Sequence, residues 1–86
     1  MLFMVIEQFT EDRLPLIGGR FLEKGRLMPD GVEYVSSWVD PVALRCYQVM
    51  SAESRELLDE WIANWSDLVE FQAIPVQTSA EFWEGR

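Results

Sequence analysis

At 86 residues the chain makes one small domain, and 49% hydrophobic with 13% aromatic residues is enough for a core, which excludes a disordered chain. Fifteen acids against seven bases give a net charge of −8, the wrong sign for neutralising phosphates, so nucleic acid is excluded as a partner. The lack of histidine removes His-dependent triads, zincin motifs and proximal-His haem ligation, and one cysteine makes neither an internal disulfide nor a Cys-rich zinc site, so no metal and no cofactor is expected and a reducing cytoplasm fits.

The opening MLFMVIEQF is apolar for six residues and then meets Glu7. It lacks the basic flank and the small-residue cleavage site of a signal peptide. No run in the chain approaches the length of a membrane span, so no membrane is expected as a partner. Leu2 to Glu7 does not alternate as a strand with one wet face would, and it reads as a central strand covered on both faces. Thr10 to Arg13 is a polar break. Pro15 can start a helix, because its missing N–H falls among the unpaired donors of the first turn. Leu14, Ile17, Phe21 and Met28 then recur at near-helical spacing, up to a stop at Pro29-Asp30-Gly31.

Gly18-Gly19 weaken this helix. No G-x-G-x-x-G or Walker pattern surrounds them, so a close approach of helix to sheet explains them better than a phosphate cradle. Arg13, Arg20, Lys24 and Arg26 read as the solvated face of the same helix rather than as an anion site.

Val32 to Asp40, with Tyr34, Val35, Trp38 and Val39, reads as a strand, and Leu44 to Met50 as the next. The short Asp40-Pro41 link makes them an antiparallel hairpin. A two-residue loop sets Trp38 opposite Arg45 and a three-residue loop sets it opposite Cys46; a one-residue slip exchanges faces, and both registers stay open. Ser51 or Ser54 caps a second helix, on which Leu57, Leu58, Trp61, Ile62 and Trp65 form an apolar stripe. Val69 to Thr78 is a last strand, with Pro75 marking an edge. Thr78-Ser79-Ala80-Glu81 is a capping-box pattern and predicts a short helical tail from about residue 79, carrying Phe82 and Trp83.

The order is β-α-β-β-α-β plus the tail, within a single domain over residues 1–86. It predicts an α+β, ferredoxin-like fold: a four-stranded antiparallel sheet with both helices on one face, strands one and three central, two and four at the edges.

The pieces MLFMVIEQF, GRLMPDGVEYVSSWV, RCYQVM and WIANWSDLVEFQAIPVQTS resemble, nearly end to end, a family of small bacterial proteins known as a domain of unknown function. That family resembles in turn the dimeric α+β barrels, in which two ferredoxin-like sheets pack face to face. The resemblance implies the fold and a homodimer joined through its sheets. It brings no activity and no catalytic residue. The wider superfamily holds cofactor-free monooxygenases, haem enzymes, small isomerases and ligand-sensing modules, and the missing histidine argues against the haem members.

On a strand, neighbours point to opposite faces, so Arg45 does not activate Cys46, and the thiol reads as a small buried hydrophobe. An arginine on a central strand needs a partner. Arg45 either pairs with Asp40 or Asp67, or reaches solvent over Trp38, or anchors a small anion between Trp38 and Tyr47. Tyr34, Ser36 and Gln48 either line a pocket or form hydrogen-bonded packing at the dimer interface. The candidate ligand pocket is thus Tyr34, Trp38, Arg45, Tyr47 and Gln48. Asp59-Glu60 reads as solvated helix surface. Two functions fit: a cytoplasmic homodimer that binds a small apolar or anionic molecule or is purely structural, and a cofactor-independent monooxygenase- or isomerase-like enzyme acting on a small apolar or aromatic compound. A closed pocket favours the binder or the enzyme, and a filled core favours the structural dimer.

Overall fold

A computed structural model describes residues Met1–Arg86. The apolar opening forms β1 (Leu2–Gln8), and a single 3-10 turn (Glu11–Arg13) leads into α1 (Leu14–Lys24), with Pro15 in its first turn. The hairpin is β2 (Val32–Asp40) and β3 (Arg45–Ala52), followed by α2 (Arg55–Ala63), β4 (Glu70–Val76) and α3 (Ser79–Glu84). The strands pair antiparallel in the order β2-β3-β1-β4, so β1 and β3 are central, as the ferredoxin-like arrangement requires. No helix is long and apolar enough to cross a membrane.

Residues that pair across strands share a face. Phe3, Val5 and Glu7 on β1 lie beside Met50, Gln48 and Cys46 on β3, on the face that the helices cover. There Phe3, Val5, Val32, Met50 and Ala52 meet Leu58, Trp61 and Trp65 from α2 and its C-terminal turn, and these eight make the core. The other face carries Leu2, Met4 and Ile6, cross-strand from Ser51, Val49 and Tyr47, with Val76, Ile74 and Gln72 on the far side. Nothing covers it.

The hairpin takes neither predicted register. Trp38 pairs with Tyr47, Val39 with Cys46 and Asp40 with Arg45, across a four-residue loop, Pro41 to Leu44. Asp40 Oδ1 accepts the N–H groups of Val42 and Ala43 at 3.0 and 3.1 Å, and Leu44 closes the loop at φ 55. A bulge at Val35 then puts Tyr34 and Ser37 on the helix face but Ser36 on the other.

α1 is shorter than its spacing predicts. It stops at Lys24, where Gly25 takes φ 69, so Met28 lies outside it. The backbone beyond is claimed by α2 and the turn after it: the indole N–H groups of Trp61 and Trp65 both donate to Arg26 O, at 3.0 and 2.8 Å, and Asn64 Nδ2 donates to Leu27 O at 2.8 Å. The close-approach reading of the glycine pair also fails, because a Cβ on Gly18 or Gly19 would meet nothing within 4 Å. α1 stands off the sheet and buries no residue fully. Gly31 is the glycine that is crowded: at φ 91, its Cβ would lie 2.8 Å from Leu57 Cδ1.

Ser54, not Ser51, caps α2, accepting the Leu57 N–H at 3.2 Å; Ser51 is still part of β3. The capping box at Thr78 and Glu81 forms as the sequence predicts and starts α3.

Candidate functional site

The stand-off of α1 leaves a cavity of about 260 Å³ between the helices and the sheet. Ile17, Phe21, Trp61, Trp65, Val69 and Phe9 form its apolar wall, and Gly18 borders it from α1. Its polar groups are Glu7, Arg26, Ser37, Cys46 and Gln48. The roof is held by Arg20, whose guanidinium meets the Asp67 carboxylate through two hydrogen bonds, 2.8 and 2.7 Å, and lies over the Trp65 ring. That pair is open to solvent, which screens it, so it positions the helix more than it stabilises the fold.

Strand alternation positions the floor. Glu7 follows Phe3 and Val5 on the covered face and sits cross-strand from Cys46 and Phe71. Its carboxyl is in neither of the protein's ion pairs and meets no hydrogen-bond donor. Burial pushes its pKa up to about 7, against the pull of the Arg26 charge. Burial, with the Glu7 charge added, pushes the Cys46 thiol up to about 11, Arg26 again opposing. Cys46 is therefore a protonated thiol at neutral pH, which agrees with its reading as a buried hydrophobe.

Arg26 is not on the solvated face of α1 with the other bases. Its guanidinium stacks on Tyr34, 3.6 Å from the ring centroid, with Phe21 at 5.3 Å. Nη1 donates to Gln48 Oε1 at a long 3.4 Å, and no carboxylate pairs with it. Gln48, 3% exposed, turns its Nε2 to Met50 Sδ at 3.3 Å. Tyr34 shares a hydrogen bond of 2.9 Å with Ser37. The site thus holds one unpaired carboxyl and one cation with unused N–H donors, amid aromatic rings.

The five residues expected to form one pocket are divided between two faces. Tyr34 and Gln48 lie on the covered face, Gln48 at the cavity and Tyr34 under Arg26. Trp38, Arg45 and Tyr47 lie on the bare face, paired as Trp38 with Tyr47 and Asp40 with Arg45. Arg45 bonds neither Asp40 nor Asp67: its Nε donates to Gln8 Oε1 at 3.1 Å. Glu7 and Arg26 were not singled out by the sequence. Glu7 carried a signal, an acid two residues beyond Val5 on a strand with no wet face. Arg26 carried none, since its place depends on the turn after Gly25 and on two indole donors.

Glu7 makes a stability prediction. Its folded pKa near 7 lies above its ordinary 4.5. Between those values the native protein holds a proton that the unfolded chain has released, so stability falls as pH rises from about 4.5 to about 7 and stays lost above. Glu7→Gln removes the effect. In urea unfolding the variant will match the native sequence near pH 5 and exceed it at pH 8, by up to about 3 kcal/mol. The chain has no histidine to add a titration of its own at about pH 6–7. A difference that does not change with pH would place the carboxyl in water.

Residues 1–85 match a family model described as a domain of unknown function, DUF3303. No curated protein and no solved structure matches the chain.

Proposed function

The chain belongs to the DUF3303 family, and for this member we propose a homodimer that binds a small aromatic or apolar anion between α1 and the sheet. The observation that carries the reading is the cavity of about 260 Å³ with the unpaired Arg26 at its edge. A void of about 150 Å³ holds benzene, so this one takes a compound of one or two rings. Its wall is largely apolar and its polar groups few, as small-molecule sites are. Arg26 uses one of its five N–H donors, weakly, and its stacking on Tyr34 fixes the plane in which the rest are offered. Burial raises the Glu7 pKa to about 7, which reduces its negative charge near neutral pH and so its repulsion of an anion at Arg26. The anion anchor expected at Arg45 is assigned to Arg26, and Trp38, Arg45 and Tyr47 go to the dimer face. A single cysteine suits a reducing cytoplasm.

Calorimetry at pH 6 with benzoate and its neutral isostere benzamide tests the anchor. The native protein will bind benzoate at least tenfold more tightly, a preference of about 1.4 kcal/mol that suits one partly wet charge-assisted contact. Arg26→Met will erase the preference. Equal affinities in the native protein, or a preference that survives Arg26→Met, would remove Arg26 as the anchor.

A further inference from the structure

We propose that Glu7 is a general base in this cavity, taking a proton from the carbon of a flat carbonyl or heteroaromatic compound while Arg26 receives the oxygen anion that develops. The proposal rests on the binding reading above and adds chemistry to it.

The geometry comes first. Glu7 is half-buried on the floor of a largely apolar cavity, in no ion pair and with no hydrogen-bond donor. Its carboxyl is thus held toward the cavity with its oxygens reached only by solvent and by whatever enters there. The groups that face it can be taken by element. β3 presents Cys46, a protonated thiol, and the amide of Gln48. β4 presents Phe71, and β2 presents Ser37. α1 presents Ile17, Gly18 and Phe21, and α2 with the turn after it presents Trp61, Trp65 and Val69, none of them ionisable. The chain after α1 brings Arg26, the one charge opposed to it. A carboxylate so placed has no protein donor to weaken it as a base, and a flat compound filling the cavity would displace the water beside it. With a pKa near 7 it is both populated as carboxylate and far more basic than an acid in water.

The step balances without a co-reactant. A Glu7 carboxylate oxygen takes the proton. The C–H electron pair becomes a new π bond, and the displaced pair comes to rest on oxygen, where Arg26 N–H groups donate to it. The Glu7 carboxylic acid can then return its proton to the same carbon or to a conjugated one. The reaction class is proton exchange or double-bond migration in a small cyclic carbonyl compound. An enolate is a flat organic anion, the class of ligand that the cavity binds in the reading above.

The probe is a nitrobenzisoxazole, a flat bicyclic compound whose ring C–H loses its proton to a base while the N–O bond breaks, giving one coloured phenolate that carries the new nitrile. The native protein will accelerate this conversion with a rate that rises through an inflection near pH 7. Glu7→Gln will lose at least a hundredfold, the usual scale of general-base catalysis. Gly18→Leu, whose side chain enters open space, will block the reaction by filling the cavity while leaving the fold intact. Retention of the rate in Glu7→Gln, or an inflection near pH 4.5, overturns the proposal. So does a native protein that binds benzoate but leaves the probe's rate at background, with the binding reading then intact. A protein that neither binds benzoate nor converts the probe loses both.

Discussion

Trp61→Ala will cost about 3–5 kcal/mol, most of the stability that a domain of 86 residues has to lose. The side chain is 3% exposed and sits at the centre of the core. Its ring meets Phe71 edge-to-face, centroids 5.7 Å apart, an arrangement that adds to simple burial. It also borders the cavity, so truncation enlarges an existing void instead of opening one that neighbours could collapse into. Trp61→Phe separates packing from hydrogen bonding. Arg26 O keeps the Trp65 donor at 2.8 Å, so the acceptor stays satisfied, and the phenylalanine will cost about 1–2 kcal/mol. Trp83→Ala is the control, because Trp83 is 69% exposed on α3 and its loss should stay within about 0.5 kcal/mol. Urea midpoints of the three variants measure the series. Similar midpoints for Trp61→Ala and Trp83→Ala would mean that the α2 stripe does not carry the core.

The parts of this fold that local chemistry determines were legible in the chain. β2 runs over the predicted residues, Val32 to Asp40, because β-formers are bounded there by Gly31 and Pro41. The capping box at Thr78 is a three-residue device and needs nothing distant. The central places of β1 and β3 followed from topology and from apolar residues on both faces of Leu2 to Ile6. What escaped was set by non-local contacts or by backbone with no residue signature. Leu44 and Leu27 take φ 55 and 57, a region that favours glycine, and nothing about a leucine announces it. Leu44 lengthens the hairpin loop. The pairing therefore shifts by two residues from the two-residue register, which changes partners but keeps Trp38 and Arg45 on one face. Leu27 belongs to the turn that brings Arg26 to the cavity, where α2 holds its carbonyl. Reading the bases by their spacing alone put Arg26 with Arg20 and Lys24, because a helix was assumed to continue to Pro29. Reading Gly18-Gly19 as a close approach assumed that helix and sheet touch. They stand apart, and that separation is the cavity.

Light scattering after size exclusion, at micromolar protein and ordinary salt, will give twice the 10.0 kDa chain mass. The expectation follows from the uncovered sheet face. Its middle is mostly apolar, with Met4 and Ile6 on β1, Tyr47 and Val49 on β3, Trp38 on β2 and Ile74 on β4, interrupted by Ser36 beside Val49 and Gln72 beside Ile6. Its charged residues gather toward one end, where Gln8 lies between Arg45 and Glu70, with Asp40 beyond Arg45, and toward the other, where Glu33 pairs with Ser51. An apolar centre inside a polar rim is the anatomy of an interface. Four strands about 4.8 Å apart and about 20 Å long project roughly 400 Å², and the accessible area is nearer ~700 Å² per copy, close to a standard interface. Soluble monomers seldom leave such a patch to water. Burying its apolar part on both copies yields on the order of 20 kcal/mol, which exceeds the cost of association, ~4–15 kcal/mol, by enough for tight pairing. The charge of −8 on each copy opposes this, so the dimer should tighten as salt screens it. Val49→Lys tests the face directly. In a lone chain the lysine reaches water; in the sheet-to-sheet pair it buries a charge without a partner, which costs several kcal/mol on each copy. The variant will keep its circular dichroism and fall to the single-chain mass. A native protein that already elutes at 10.0 kDa, or a Val49→Lys variant that stays at twice that mass, would put any dimer contact elsewhere and leave the bare face without its partner.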